Sequence, residues 1–124
     1  SKILNMKRDR IIDDFINITA DFTKNYKGTA IIKHVPACVV WGNLLSVNST
    51  GNPGLATAGS GDVLSGMVAS FIAQKMNNYD ASRLSSYLHG KAADNIIKSR
   101  GQRGLIASDL PLEIASIIGG YENL

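Results

Sequence analysis

Three short β-branched segments, "TAIIK" (Thr29–Lys33), "ACVVW" (Ala37–Trp41) and "LLSVN" (Leu44–Asn48), follow one another with almost nothing between them, and every periodic segment after residue 60 has a helical repeat. Domains that mix strands and helices usually alternate them. Here one helix precedes three adjacent strands and three helices follow. The Gly42-Asn43 pair between the last two strands suits a two-residue hairpin with a type II′ turn. A patch of three short strands leaves edges that need cover. The pattern reads as α/β, with the strands drawing on a sheet supplied by another chain or by a further segment. Its 124 residues suffice for one domain, 1–124, rather than two.

The helices announce themselves by spacing. From about Asp9 to Asn25, the apolar residues Ile12, Phe15, Ile16, Ile18 and Phe22 recur mainly at helical intervals, and Gly28 follows the expected end. Val63, Leu64, Met67, Val68, Phe71 and Ile72 form a second apolar stripe. Asp80 is expected to N-cap a third helix carrying Leu84, Tyr87, Leu88, Ala92 and Ile96. Ser108 is expected to N-cap a fourth, with Pro111 in its first turn and Leu112, Ile114 and Ile117 beyond. No repeat or low-complexity segment interrupts them.

Composition excludes several classes of function. A formal charge of +3, with no basic block beyond Lys7-Arg8-Asp9-Arg10, is too weak for nucleic acid but suits a small anion. Cys38 is the only cysteine, so no internal disulfide forms. Set in the run Ala37-Cys38-Val39-Val40, it reads as a buried bystander rather than a nucleophile. No run approaches the roughly 18 apolar residues of a membrane span, and no signal-peptide core is visible near the start. The expected location is cytoplasmic. Asn17-Ile18-Thr19 and Asn48-Ser49-Thr50 then match the glycosylation pattern by chance. His34 and His89 lack a neighbouring ligand at metal spacing, so no protein-held metal is expected. His89 is expected to pack or cap within its own helix, and Trp41 to pack against the hairpin.

The chemistry concentrates in "TGNPGLATAGSGDVLSG" (Thr50–Gly66). A Walker A loop is excluded because no lysine lies between Val35 and Gln74. A dinucleotide fingerprint is excluded because four residues separate Gly61 from Gly66 where that motif allows two. What remains is physical. Glycines ahead of a helix let several amides converge on one point without obstruction, and the positive end of the helix dipole favours an anion there. Asp62 stands inside this ring. As a plain N-cap it needs no further explanation, but an N-cap does not require the glycines around it. A base for a ligand hydroxyl beside an anion hole for the phosphoryl group needs both.

"NPGLATAGSGDVLSG" resembles the signature of the ADP/ATP-dependent NAD(P)H-hydrate dehydratases, a branch of the ribokinase-like superfamily. The G-x-G-D element is shared with sugar kinases and hydroxymethylpyrimidine kinases; the longer run of Asn-Pro-Gly, Ala-Thr and Gly-Ser-Gly-Asp is far more specific. "SVNSTGNPG", "YLHGKAAD" (Tyr87–Asp94) and "LIASDL" (Leu105–Leu110) also look like family segments, so the resemblance extends over roughly Thr29 to Ile118.

The resemblance implies the C-terminal portion of a ribokinase-like three-layer α/β/α fold. It implies phosphorylation of the hydroxyl of hydrated NADH or NADPH (NADHX, NADPHX) from ADP or ATP, followed by loss of phosphate. Asp62 would contact the hydrate and take its hydroxyl proton, the Gly59, Ser60 and Gly61 amides would form the anion hole, and Asn52 would lie near the hydrate and the nucleotide phosphates. The family's Lys-Gly-x-x-Thr nucleotide segment maps to Lys33, His34, Val35, Pro36 and Ala37, with His34 in place of a glycine and Ala37 in place of a threonine. Leu55 and Ala58 are milder departures. Mg²⁺ would arrive with the nucleotide. The expected partners are the NAD(P)HX small molecule and either further copies of the chain or the rest of a longer one. Two alternatives are a small-molecule kinase that leaves the phosphate on its product, and a nucleotide-binding fragment without activity.

Overall fold

The computed structural model describes residues 15–123. In chain order these form α1 (Phe15–Asn25), β1 (Ala30–Ile32), β2 (Cys38–Trp41), β3 (Leu44–Val47), α2 (Ser60–Ala73), α3 (Asn78–Arg100) and α4 (Leu110–Glu122). Single 3-10 turns occupy Pro53–Leu55, Gln102–Gly104 and Ala107–Asp109. The part of the first helix expected before residue 15 lies outside the described residues.

The strands make one antiparallel sheet in the order β1-β2-β3, with Ala30 opposite Val40 and Cys38 opposite Val47. Trp41 and Leu44 close the hairpin. Gly42 takes φ +53°, and Lys75 is the only described non-glycine residue with a positive φ, so Asn43 has the negative φ that a type II′ turn needs. The middle strand is buried on both faces. Cys38, Val39 and Val40 are exposed by 3%, 1% and 1%, although successive side chains point to opposite sides. Both α1 and α3 pack against β2, which explains its unbroken apolar run. Cys38 is buried as expected, and burial pushes its thiol pKa up, away from nucleophilic use.

The helical core is centred on α3. Ala92, Ala93 and Ile96 pack with Leu105, Leu110 and Ile114, and Val63 and Met67 of α2 lie against them. Small residues let neighbours approach α3 closely: Ala81, Ala92 and Ala93 are fully buried. Trp41, half-exposed, lies against Tyr79 with ring centres 6.1 Å apart.

Two expected caps are displaced. Helix α3 is capped by Asn77, whose Oδ1 accepts the Asp80 N–H at 2.9 Å, while Asp80 Oδ2 accepts from Asn77 Nδ2 at 2.7 Å. Asp80 thus sits inside the first turn, where a carboxylate still favours the dipole. Ser108 lies within the Ala107–Asp109 turn, and α4 starts at Leu110 without a side-chain cap. Asp109 precedes it, but its carboxylate accepts from Arg100 Nη1 at 2.6 Å instead. Pro111, lacking an N–H, reduces the number of amides needing a cap.

Candidate functional site

The loop after β1, the Thr50–Thr57 segment, the start of α2 and one face of α3 enclose a cavity of about 420 Å³. All five residues from Lys33 to Ala37 line it, as do Asn52, Ser60 and His89. Lys33, His34, Val35 and Pro36 are exposed and form its outer wall. The Val35–Pro36 bond is cis.

The first turn of α2 is built on Gly59, not Asp62. Gly59 is the N-cap residue, at φ +83°, a conformation that costs a side-chain-bearing residue energy. It also packs against Ala107; a Cβ at position 59 would stand 3.2 Å from the Ala107 Cβ. The small residue in "LIASDL" therefore backs the glycine turn. The first-turn amides are not equally available. Asp62 N–H is turned back to Gly59 O at 3.0 Å, and Ser60 N–H reaches Thr57 O at 3.4 Å. Gly61 N–H, by its place in the turn, has no carbonyl four residues earlier within the helix. Lys33 completes the arrangement: its Nζ lies over Gly61, 2.6 Å from where a Cβ would be. An ammonium thus lies beside the first-turn amides of α2, which is chemistry for a phosphate or carboxylate.

Asp62 is exposed, and its side chain neither caps the helix nor lines the cavity. No hydrogen bond or ion pair engages its carboxylate among the described residues. It follows Gly61 in the first turn of α2, outside the lining of the cavity. The N-cap explanation of this residue is thereby corrected: Gly59, able to adopt the left-handed conformation, takes the capping position.

His89 crosses to another element instead of capping its own helix. It is 5% exposed, and its Nε2 lies 2.9 Å from Ser60 O, so the ring donates to a carbonyl in the first turn of α2. Burial lowers its pKa from the usual 6.5, the Ser60 bond opposes this, and the Lys33 charge lowers it further. The folded form prefers neutral His89. Its contribution to stability is complete above about pH 6.5 and is lost as pH falls through the depressed value in the folded protein. Melting temperature should therefore drop between pH 7 and pH 5. His89→Gln, which keeps a donor for Ser60 O, should flatten that part of the profile; an unchanged slope in the variant would assign it to other groups.

The Asn48–Asn52 loop is fastened along α3. Asn48 Nδ2 donates to Thr50 O and Ser86 O, both at 3.0 Å, and Thr50 Oγ1 donates to Tyr87 O at 2.8 Å. Asp94 accepts from Gly51 N–H at 2.9 Å and from Asn52 Nδ2 at 2.8 Å. Gly90 leaves room for this approach, since a Cβ there would stand 2.6 Å from Thr50 C and 2.8 Å from Gly51 N. Within "YLHGKAAD", then, Leu88 packs in the core, His89 holds Ser60, Gly90 clears the loop and Asp94 binds it. Ser86 borders the cavity, and its buried Oγ has no hydrogen-bond partner. Sequence reasoning assigned no role to Ser86 or Asp94; the Gly90-to-Asp94 spacing of one helical turn was the available signal. Among the described residues no three His, Cys, Asp or Glu side chains stand close enough together to hold a metal, and no helix is long and apolar enough to cross a membrane.

A family model described as NAD(P)H-hydrate dehydratase matches residues 3–118. The bifunctional NAD(P)H-hydrate repair enzyme Nnr of Moorella thermoacetica is 36% identical over 111 residues, which are 89% of this chain and 21% of that protein. The ADP-dependent (S)-NAD(P)H-hydrate dehydratase of Neisseria meningitidis is 49% identical over 65 residues, 52% of this chain and 22% of its own length. The chain thus spans about a fifth of these curated relatives. Among solved structures, the Bacillus subtilis ADP/ATP-dependent NAD(P)H-hydrate dehydratase co-crystallised with ATP/Mg²⁺ superposes with a TM-score of 0.85 at 19% identity. That match covers 91% of this chain and 41% of the other. It establishes a fold shared with the ribokinase-like enzymes.

Proposed function

The chain belongs to the NAD(P)H-hydrate dehydratase family, and from that premise we propose that it carries the nucleotide-binding and proton-accepting part of an enzyme that repairs NADHX and NADPHX. The observation that carries this proposal is the meeting of Lys33 Nζ with Gly61 at the start of α2, at the mouth of the 420 Å³ cavity. The buried, unpartnered Ser86 hydroxyl fits a polar ligand in that cavity, because a buried hydroxyl without a partner costs free energy.

In this proposal ADP or ATP lies along the Lys33–Ala37 and Asn52–Thr57 walls. Its terminal phosphoryl group faces Gly61 N–H and the Lys33 ammonium, with the Gly59 and Ser60 backbone shaping the turn. Asp62 accepts the proton of the hydrate hydroxyl as that oxygen attacks the terminal phosphorus and AMP (from ADP) or ADP (from ATP) leaves. The C–O bond to the new phosphate then breaks while the neighbouring ring carbon gives up a proton to solvent, and the ring double bond re-forms. Mg²⁺, held mainly by the nucleotide's own phosphates, supplies charge neutralisation. His34 and Ala37 line the cavity in place of the family's glycine and threonine, so Lys33 carries the electrostatic contact at this wall. The unit is a single domain that works as part of a longer chain or assembly in the cytoplasm.

Absorbance at 340 nm tests the proposal. The protein carrying this chain, given NADHX, Mg²⁺ and ADP or ATP in turn, should show a nucleotide-dependent rise, and the faster donor identifies the nucleotide. A flat trace from a protein that binds nucleotide would refute the dehydratase assignment. Lys33→Ala should weaken Mg·ADP binding roughly ten- to a hundredfold, as expected for loss of a charge-assisted contact, without changing the melting temperature of this exposed position. Unchanged affinity on calorimetric titration would remove Lys33 from the site.

A further inference from the structure

Asp94 does not line the cavity, yet it controls one of its walls. Asn52 lines the cavity while being only 7% exposed, and both ends of its amide are engaged. Its Oδ1 accepts the Gly54 N–H at 3.0 Å, and its Nδ2 donates to Asp94 Oδ1 at 2.8 Å. The second Asp94 oxygen accepts the Gly51 N–H at 2.9 Å. A carboxylate can only accept, so it must be met by the NH₂ end of the amide, which leaves the oxygen facing Gly54. Turning the amide over would set oxygen against oxygen at Asp94 and NH₂ against N–H at Gly54. Without the carboxylate, the single Gly54 N–H is all that is left in this set of bonds to choose between the two orientations.

We infer that Asp94 is a positioning residue of the site, fixing the orientation of the Asn52 amide and with it the cavity wall from Gly51 to Leu55. Asn52 then acts mainly by shape. Its oxygen is committed to Gly54, and one Nδ2 hydrogen is left for a ligand. Gly90, one turn before Asp94 on the same face of α3, provides the clearance that brings the loop within reach of the carboxylate. The affinity readout below rests on the nucleotide assignment; the exchange readout does not.

The test compares amide hydrogen exchange at Gly51 and Gly54, by NMR, with Mg·ADP affinity. It uses the protein carrying this chain and its Asp94→Asn, Asn52→Asp and Asn52→Asp/Asp94→Asn variants. In the double variant the amide at position 94 donates to the carboxylate at position 52 and accepts from Gly51 N–H, while the carboxylate's other oxygen accepts from Gly54 N–H. All three bonds are restored, and only the one between positions 52 and 94 has its direction exchanged.

Asp94→Asn alone should speed exchange at Gly51 and also at Gly54, which Asp94 does not touch, and should weaken Mg·ADP about tenfold. The double variant should recover protection at both glycines and affinity to within a factor of about three. Gly54 protection unchanged in Asp94→Asn, or a double variant that melts like the parent but stays unprotected, would overturn the inference. Recovered protection without recovered affinity would show that position 52 meets the nucleotide directly, and would overturn the claim that it acts through shape. If the parent protein fails to bind Mg·ADP while Gly54 responds as expected, the nucleotide assignment falls and the positioning role stands.

Discussion

Asp62→Asn is expected to lower nucleotide-dependent conversion of NADHX by about two to four orders of magnitude, the range usual for loss of a general base. The fold should barely respond. Asp62 is exposed, its carboxylate has no partner among the described residues, and capping belongs to Gly59. The change removes only a favourable charge from the first turn of α2, about 0.3–1 kcal/mol. This contrast makes the variant informative: an exposed first-turn carboxylate with no structural role is either functional or dispensable. Rates at 340 nm and melting curves on the same preparations separate the two. Activity above a tenth of the parent's would mean that another group takes the hydroxyl proton.

The largest structural effect is expected from Gly90→Ala. In the interior of an ordinary helix this change stabilises by about 1 kcal/mol, because alanine loses less backbone freedom on folding. Here the new methyl would stand 2.6 Å from Thr50 C and 2.8 Å from Gly51 N, both backbone atoms. Helix α3 has little freedom to withdraw, since Leu88, Ala92 and Ala93 are exposed by 3%, 0% and 0%. The loop must move instead, and the bonds from Asn48, Thr50, Gly51 and Asn52 to α3 are strained or lost. Overpacking of about 1–3 kcal/mol, plus roughly 0.5–1.5 kcal/mol for each hydrogen bond lost, outweighs the helix preference. Urea denaturation should show a clear loss of stability, and Mg·ADP affinity should fall with it. A variant as stable as the parent would mean that the loop is not pressed against α3.

Local physics made most of the elements readable. Short β-branched runs and the Gly-Asn turn identify the strands to within a residue at either end, because a two-residue hairpin leaves no freedom in register. The stripe beginning at Val63 marks α2, and the alanines of "KAAD" mark where α3 meets its neighbours. Caps were less readable. Asn77 and Asp80 are both competent, three residues apart, and Asp109 would compete with Ser108 had Arg100 not engaged it.

The glycine-rich stretch, its position ahead of a helix and the presence of one carboxylate in the first turn were set by the residues themselves, since φ preference and helix periodicity act over a few neighbours. The identity of the N-cap turned on which residue could hold φ +83° against Ala107, a contact between positions 59 and 107. That Lys33 reaches Gly61, that His89 serves Ser60 rather than its own helix, and that Asp94 orients Asn52 depend on elements 28 to 42 residues apart. Such pairs carry no local signal, because a hydrogen bond or a steric clearance between distant segments exists only once the core around α3 has set their separation. The sequence determined which groups are present and how each short segment bends; tertiary packing decided which of those groups meet.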